Sequence, residues 1–329
     1  MIPRIGFLGV GWIGRHRMET LLASGAAEAV AVCDTSAECL AHAARLAPGA
    51  AQVGSLDEML SLKLDAVVIA TPSALHAEQA IRSLEAGVAT FCQKPLGRSA
   101  AEVGAVVDAA RTADRLLGLD LSYRHAEAVR QIAALVRKGA LGRLFAIDLT
   151  FHNAYGPDKD WFYDPALSGG GCVIDLGVHL VDLALWILGF PPVDAVDARL
   201  MAGGRPLVAG QVEDYAVAQF NAGGVEVRLA CSWRLNAGCE AVIEAEFFGD
   251  AGGARLRNVN GSFYDFSAER LSGTTSQPLA MPPDAWGGRA VLSWALALAS
   301  SPAFDRDAEH YLCSAQVLDR IYGRDIVAS

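Results

Sequence analysis

The sequence predicts an α/β fold: an N-terminal doubly wound parallel sheet, followed by an α+β domain built on a large, mainly antiparallel sheet. Two observations point there. Short apolar strand-like runs alternate with helix-like runs over the first third of the chain, as in a parallel sheet covered on both faces. Past residue 121 the rhythm changes to strand-like runs mostly separated by glycines, as in an antiparallel sheet. A length of 329 residues accommodates about two domains at ~150 residues each. The change of rhythm sets them at 1–122 and 123–329.

The first domain opens on Ile5–Leu8, an apolar strand that turns through Gly9-Val10-Gly11-Trp12-Ile13-Gly14 into an amphipathic segment, Arg15 to Ser24. Gly9 permits the turn, Gly11 lets backbone approach a pyrophosphate, and Gly14 lets helix and strand pack closely. Unpaired N–H groups at the helix start then face phosphates, and the helix dipole adds roughly 0.3–1 kcal/mol per charge. Glu28 to Cys33 is a second strand, ending at Asp34, 20 residues past Gly14. That is where a dinucleotide fingerprint places its ribose-binding acid. Thr35, Ser36 and Ala37 follow with no nearby Arg or Lys, which favours NAD over NADP; the alternative for Asp34 is a helix N-cap.

A helix from Ala37 to Leu46 stops at Pro48-Gly49, and Ser55 caps a short one. Asp65 to Ala70 is a strand, Thr71-Pro72-Ser73 a turn, and Ala74 to Glu85 a helix. Val88 to Cys92 is a buried strand followed by Gln93-Lys94-Pro95, Ser99 caps a helix to about Ala113, and Leu116 to Leu121 is a strand. Ligands of such sheets sit at the carboxyl ends of the strands, so the loops Gly9–Gly14, Thr71–His76 and Gln93–Gly97 are expected to converge.

The second domain begins with a helix, Ala126 to Lys138, and a strand, Arg143 to His152. An aromatic and acidic loop and three glycines, Gly169 to Gly171, precede a long helix, about Val173 to Leu188. Strands are expected at Val193–Leu200, Asp214–Asn221, Val225–Leu235, Ala241–Phe248, Ala254–Asn258 and Ser262–Phe266, with closing helices at Arg289–Leu298 and Asp307–Tyr322. A broad sheet with few helices leaves an open face, through which a homodimer or homotetramer would form.

Composition narrows the function. Hydrophobic residues at 52% and charged residues at 19% describe a chain with ample core, and a net charge of −10 argues against nucleic acid or an anionic membrane as partner. Seven scattered cysteines show neither a CxxC pair nor zinc spacing, so reduced thiols in a cytoplasm and no metal are expected. The start of the chain lacks signal-peptide character, and the apolar stretch Leu176 to Phe190 carries His179 and Asp182, too polar for a membrane span.

Two sites carry chemistry. Lys94 follows a buried strand at the ligand edge of the sheet, where its ammonium can donate to a substrate oxygen or act as an acid. Asp175 and His179 stand four residues apart, on one helix face, with Asp182 beyond them. A carboxylate beside an imidazole suits a general acid/base near neutral pH, while a structural acid–His contact remains the competing reading.

With these residues in place the chain resembles the glucose–fructose oxidoreductase, inositol dehydrogenase and MocA family. The likeness rests on Gly9–Gly14, Ala70-Thr71-Pro72-Ser73-Ala74-Leu75-His76, Lys94-Pro95, and Gly169–Gly171 leading to Asp175, Gly177 and His179. The resemblance implies a Rossmann domain paired with an α+β sheet domain, and a dehydrogenase of sugars, cyclitols or related polyols. It implies Lys94, Asp175 and His179 as the catalytic trio, with a hydride passing from a secondary alcohol to NAD. Cofactor contacts are expected from Gly9, Gly11, Trp12, Ile13, Gly14, Asp34, Thr71, Pro72, His76, Gln93 and Lys94. Tyr123, Arg124, His152, Asp160 and Trp161 fall where relatives bind their polyol; Trp286 and Tyr264 are open to pocket or core roles. Some relatives are redox-neutral glycoside hydrolases that keep NAD bound, and an NAD-binding sensor is a further alternative. The chain departs from the family in having Gln93 where Glu usually precedes Lys-Pro, and Ser73 where Asn is frequent. The family's Lys-Pro bond is often cis.

Overall fold

A computed structural model describes residues 2–324 and divides the chain into two compact units, Met1–Asp120 with Gly288–Leu312, and Leu121–Gly287 with Cys313–Ser329. The first contains β1 (Arg4–Leu8), α1 (Trp12–Ser24), β2 (Glu28–Cys33), α2 (Ala37–Leu46), β3 (Ala51–Gln52), α3 (Leu56–Leu60), β4 (Ala66–Ile69), α4 (Ser73–Glu85), β5 (Ala89–Cys92), α5 (Ala100–Ala113) and β6 (Leu117–Leu119). The strands pair in parallel in the order β3-β2-β1-β4-β5-β6. This is the doubly wound sheet expected from the sequence, with its strand order reversing beside β1. The caps explain the helix starts. Ser36, Ser55 and Ser99 each accept from the backbone N–H three residues on, and Glu102 reaches back from α5 to the N–H of Arg98.

The second unit holds α6 (Glu127–Arg137), β7 (Leu144–Asn153), a short α7 (Pro165–Ser168), a π turn (Val173–Gly177) and α8 (Val178–Leu188). Then follow β8 (Val193–Ala202), β9 (Arg205–Pro206), β10 (Tyr215–Ala222), β11 (Val225–Ser232), β12 (Ala241–Gly249), β13 (Gly252–Asn258), β14 (Phe266–Ser272) and β15 (Thr275–Ala280). Among the described residues these strands form one sheet, ordered β15-β14-β13-β12-β7-β11-β10-β8-β9, antiparallel except where β7 meets β11. Strict alternation divides its faces. Ile147, Leu149, Phe151, Val227, Leu229, Ile243, Ala245 and Phe247 share a core with α6 and α8, whereas Asp148 pairs with Arg228 and Glu246 with Arg255 on the open face. The helical run Pro165–Leu188 is long and apolar enough to cross a bilayer by composition, but 78% of its most apolar window is buried in this core.

The structure differs from the sequence expectations in three places. The strand placed at Ser262–Phe266 is a turn, because the Ser262 hydroxyl accepts from the N–H groups of Tyr264 and Asp265, and β14 starts only at Phe266. β15 carries no strand signal because it is an exposed edge strand, polar and interrupted by Pro278. The third concerns α9 (Arg289–Ser300), which precedes the last helix, α10 (His310–Ile321). The sequence boundary at 122 assigns α9 to the second domain, yet it packs in the first unit. Ala290, Val291, Trp294, Ala295 and Leu298 are buried with Ile5, Phe7, Val68 and Phe91, and the Trp294 and Phe91 rings lie 5.4 Å apart.

Gly118 makes that packing possible, since a Cβ there would lie 2.5 Å from the Trp294 ring and 2.7 Å from Phe91. Gly118→Ala should therefore destabilise the protein by about 1–3 kcal/mol, the usual cost of overpacking. A chemical denaturation curve checks this; an unchanged midpoint would contradict the packing described.

Candidate active site

In the first unit the site is built from the loops after β1, β4 and β5, three adjacent strands. Gly9 adopts φ +83°, and a Cβ there would lie 2.5 Å from the Ala70 carbonyl oxygen; at Gly14 it would lie 2.0 Å from that of Gly9. These two glycines are needed by the protein itself. Gly11 is different. Its φ of −60° suits any residue, and its Cβ would meet nothing within 4 Å. The space beside it admits a ligand against the N-terminus of α1, whose first turn has no acidic residue and no side-chain cap. Trp12 is exposed at the helix start, its ring stacked on His16, and Ile13 is half-buried behind it.

Asp34, at the end of β2, accepts from the Val10 N–H through Oδ2 and from the Ser36 N–H through Oδ1, both at 2.8 Å. Ser36 rather than Asp34 caps α2. Each carboxylate oxygen retains a lone pair for a ribose hydroxyl. The residues present fit a dinucleotide: an open approach at Gly11, unpaired helix N–H groups for a pyrophosphate, and an acid on the neighbouring strand for a ribose.

The other loops are braced on each other. His76 is buried, with Nδ1 2.7 Å from the Pro95 carbonyl oxygen and Nε2 2.7 Å from that of Thr71. Burial lowers the pKa of its imidazole, against the pull of those two carbonyls. His76 thus holds the two loops together, a different task from the cofactor contact expected of it. The Thr71 hydroxyl donates to Gln79 Oε1 at 2.6 Å, and Pro72 is exposed at the start of α4. The Lys94-Pro95 bond is cis and Lys94 is half-buried. Gln93 accepts from the Lys94 N–H at 2.9 Å and donates to Asp120 at 2.8 Å.

In the second unit, every residue from Ser168 to Leu185 is buried except Asp175 and His179. The expected long helix opens instead as a π turn, Val173–Gly177, that carries Asp175, and His179 follows at the start of α8. Such turns concentrate at functional sites. The Trp233 indole N–H donates to Asp175 Oδ2 at 3.0 Å. His179 lies against Tyr123, ring centroids 4.8 Å apart, and near Phe151 at 6.4 Å. Tyr123 also packs on Trp286 and Phe266, and its phenol is held protonated by burial, with Tyr264 and Asp175 adding to the effect.

The remaining predicted substrate residues are not gathered there. Arg124 is turned inward, forking onto the buried Asp182 while Trp186 and Phe190 flank its guanidinium. Asp182 is its counter-ion, not a third member of the acid–His face. His152 follows Phe151 in β7 and so lies on the opposite, open face, bonded to the Ser232 hydroxyl at 2.8 Å and stacked on Tyr215. Burial lowers its pKa. Asp160 is exposed, and Trp161 stacks on Phe162, which in turn touches Trp233 edge-on. Trp286 is core, donating to the Tyr264 carbonyl at 2.8 Å, and Tyr264 is half exposed beside it.

Two residues of the site carry no signal in the sequence. Trp233 sits just past β11 with no spacing to mark it. Glu213 is fully buried and accepts from the N–H groups of Gly171 and Val173 and from the Tyr322 hydroxyl, at 2.8–3.0 Å. It anchors the entry to the π turn. Burial raises its pKa, although these donors oppose the shift. Gly171 is required beside it, because a Cβ would lie 1.9 Å from the Glu213 carbonyl oxygen.

The separate natures of Gly11 and Gly14 give a prediction. Gly11→Asp should hold or raise stability by a few tenths of a kcal/mol, since Asp is the better N-cap, while weakening NAD or NADP binding at least about ten-fold by competing for the same N–H groups. Parallel thermal melts and calorimetric titrations test it; undiminished binding would remove the pyrophosphate from Gly11.

Comparison with known proteins agrees with this architecture. Residues 3–121 match the model of an oxidoreductase family with an NAD-binding Rossmann fold, and residues 129–255 match a GFO/IDH/MocA C-terminal domain. Similar proteins include a D-glucoside 3-dehydrogenase from Escherichia coli, 31% identical over 70% of this chain and 69% of its own length. An inositol 2-dehydrogenase from Acidiphilium cryptum is 29% identical over 74% of this chain and 72% of its own length. Among solved structures, a 3-ketoreductase from Actinomadura kijaniata in complex with NADP and TDP-benzene covers 99% of both chains with a TM-score of 0.84 at 22% identity, a likeness of fold. The chain belongs to the glucose–fructose oxidoreductase, inositol dehydrogenase and MocA family of NAD(P)-binding oxidoreductases.

Proposed function

We propose that this protein oxidises a secondary alcohol of a sugar, cyclitol or sugar acid with NAD as acceptor, and that Lys94, Asp175 and His179 handle the proton. The observation that carries the reading is the exposure pattern of the Ser168–Leu185 segment: an acid and a histidine reach the surface of an otherwise buried stretch. The names of the curated relatives, dehydrogenases of a glucoside and of inositol, support the substrate class. The acid Asp34, followed by Thr35, Ser36 and Ala37, supports NAD over NADP, since a carboxylate repels a 2′-phosphate.

In this reading the nicotinamide, when bound, supplies the hydride acceptor. His179 takes the hydroxyl proton as the carbonyl forms, and Lys94 donates to the same oxygen. Asp175, fixed by the Trp233 N–H, is the acid that stands four residues before His179. Tyr123, packed against His179, offers an apolar ring suited to the C–H face of a polyol ring. The protein would work as a cytoplasmic homodimer or homotetramer joined through the open face of the larger sheet; a monomer in light scattering would end that part.

The test is absorbance in the reduced-nicotinamide band with NAD or NADP and a panel of inositols, aldoses and uronates. Growth of the band with NAD and one polyol is expected. A flat trace across the panel, with NAD retained by the purified protein, would contradict a dehydrogenase and favour redox-neutral glycoside cleavage. Against the polyol so found, His179→Ala should lower kcat by roughly 10²–10⁴-fold with little change in NAD affinity, and wild-type turnover would remove His179 from the chemistry.

A further inference from the structure

Gln93 is chemically specific in a way that its place before Lys94-Pro95 does not require. Its Oε1 accepts from the Lys94 backbone N–H, and its Nε2 donates to Asp120 Oδ2. Both partners fix the amide in one orientation, since a flip would set N–H against N–H and oxygen against carboxylate. Asp120 is 1% exposed, and its carboxylate also takes the guanidinium of Arg17, itself 6% exposed. Arg17 lies on α1, the helix that begins at the glycine turn, and its other arm meets His16 Nδ1 at 2.8 Å, whose ring stacks on Trp12. A continuous chain of contacts thus runs from the start of α1 through Arg17, Asp120 and Gln93 to the backbone of Lys94.

We propose that Asp120 is the positioning residue of Lys94, acting through the Gln93 amide and itself anchored by Arg17. The buried charge that anchors the Lys94 loop stands just past the end of β6, not beside the lysine. A glutamate at position 93 would still accept from the Lys94 N–H, but it would set a second carboxylate against Asp120 at hydrogen-bond distance. Two such anions cannot both stay ionised without repulsion. Gln93 and Asp120 therefore form a matched pair, in which the Gln93 amide and the Arg17 guanidinium converge on one oxygen, Asp120 Oδ2. An asparagine at position 120 relieves the repulsion from a carboxylate at position 93, but it cannot serve both donors from that one atom.

The inference rests on Lys94 acting in the reaction, so the experiment separates the two. Gln93→Glu, Asp120→Asn and the double variant are compared with wild type in Tm and in turnover of whichever panel polyol the wild type oxidises fastest, with Lys94→Ala alongside. Each single change is expected to lower Tm and to lower kcat at least about ten-fold, with KM for the polyol moving less than about three-fold. The double variant should lose clearly less, in Tm and in log kcat, than the sum of the two single losses, the coupling expected of groups in direct contact. A double variant whose losses equal that sum, or a Gln93→Glu protein with wild-type Tm and kcat, would overturn the pairing. Should Lys94→Ala turn over normally, the positioning role falls with the reading of Lys94; should no panel polyol react, the coupling in Tm decides the pairing by itself.

Discussion

The carboxylate of Asp34 is the constraint on which the ligand edge of the parallel sheet depends. It ends β2, accepts from Val10 inside the glycine turn and from Ser36 at the start of α2, and so fixes two backbone segments from one point. Charge-assisted bonds of this kind are roughly twice as strong as neutral ones. With Val10 held, Gly9 is pressed against the Ala70 carbonyl and Gly14 against Gly9, and α1 leaves the sheet at a set angle. The N–H groups at the start of α1 are then aimed at open space beside Gly11. One short acidic side chain thereby fixes the turn and the start of two helices.

The second unit solves a comparable problem with a buried carboxyl group, that of Glu213. The π turn at Val173–Gly177 gives up helix regularity to bring Asp175 out of an apolar helix while its neighbours stay buried. Glu213 and Tyr322 satisfy N–H groups at the entry, and Trp233 holds the Asp175 carboxylate from the side. Leaving these groups unpaired inside the core would cost about 1–3 kcal/mol each. The phenylalanine and tryptophan packing around Tyr123 supplies the dry wall against which His179 rests.

Much of this was legible in the sequence because it rests on local spacing. The glycines of the first turn, the distance from Gly14 to Asp34, the serine caps and the Asp175–His179 interval are all short-range signals, and the parallel strands read as apolar runs. What escaped depends on contacts between distant positions. No local pattern distinguishes Arg124 as the counter-ion of Asp182 from an arginine facing a substrate. His152 follows an aromatic strand residue, but alternation turns it to the other face. The return of α9 to the first unit depends on Trp294 finding the groove above Gly118, 176 positions earlier in the chain. Glu213 and Trp233 are ordinary in sequence and acquire meaning only beside the π turn.

In the proposed reaction a C–H hydride of a polyol leaves for the nicotinamide and stays there. The direct measurement is the fate of deuterium placed on the carbinol carbons of a polyol substrate, followed by NMR after turnover with NAD. Deuterium is expected at the nicotinamide C4 position, with a carbonyl at the carbon that lost it. Product formed with all the deuterium still on the sugar carbon and the cofactor unlabelled would contradict it.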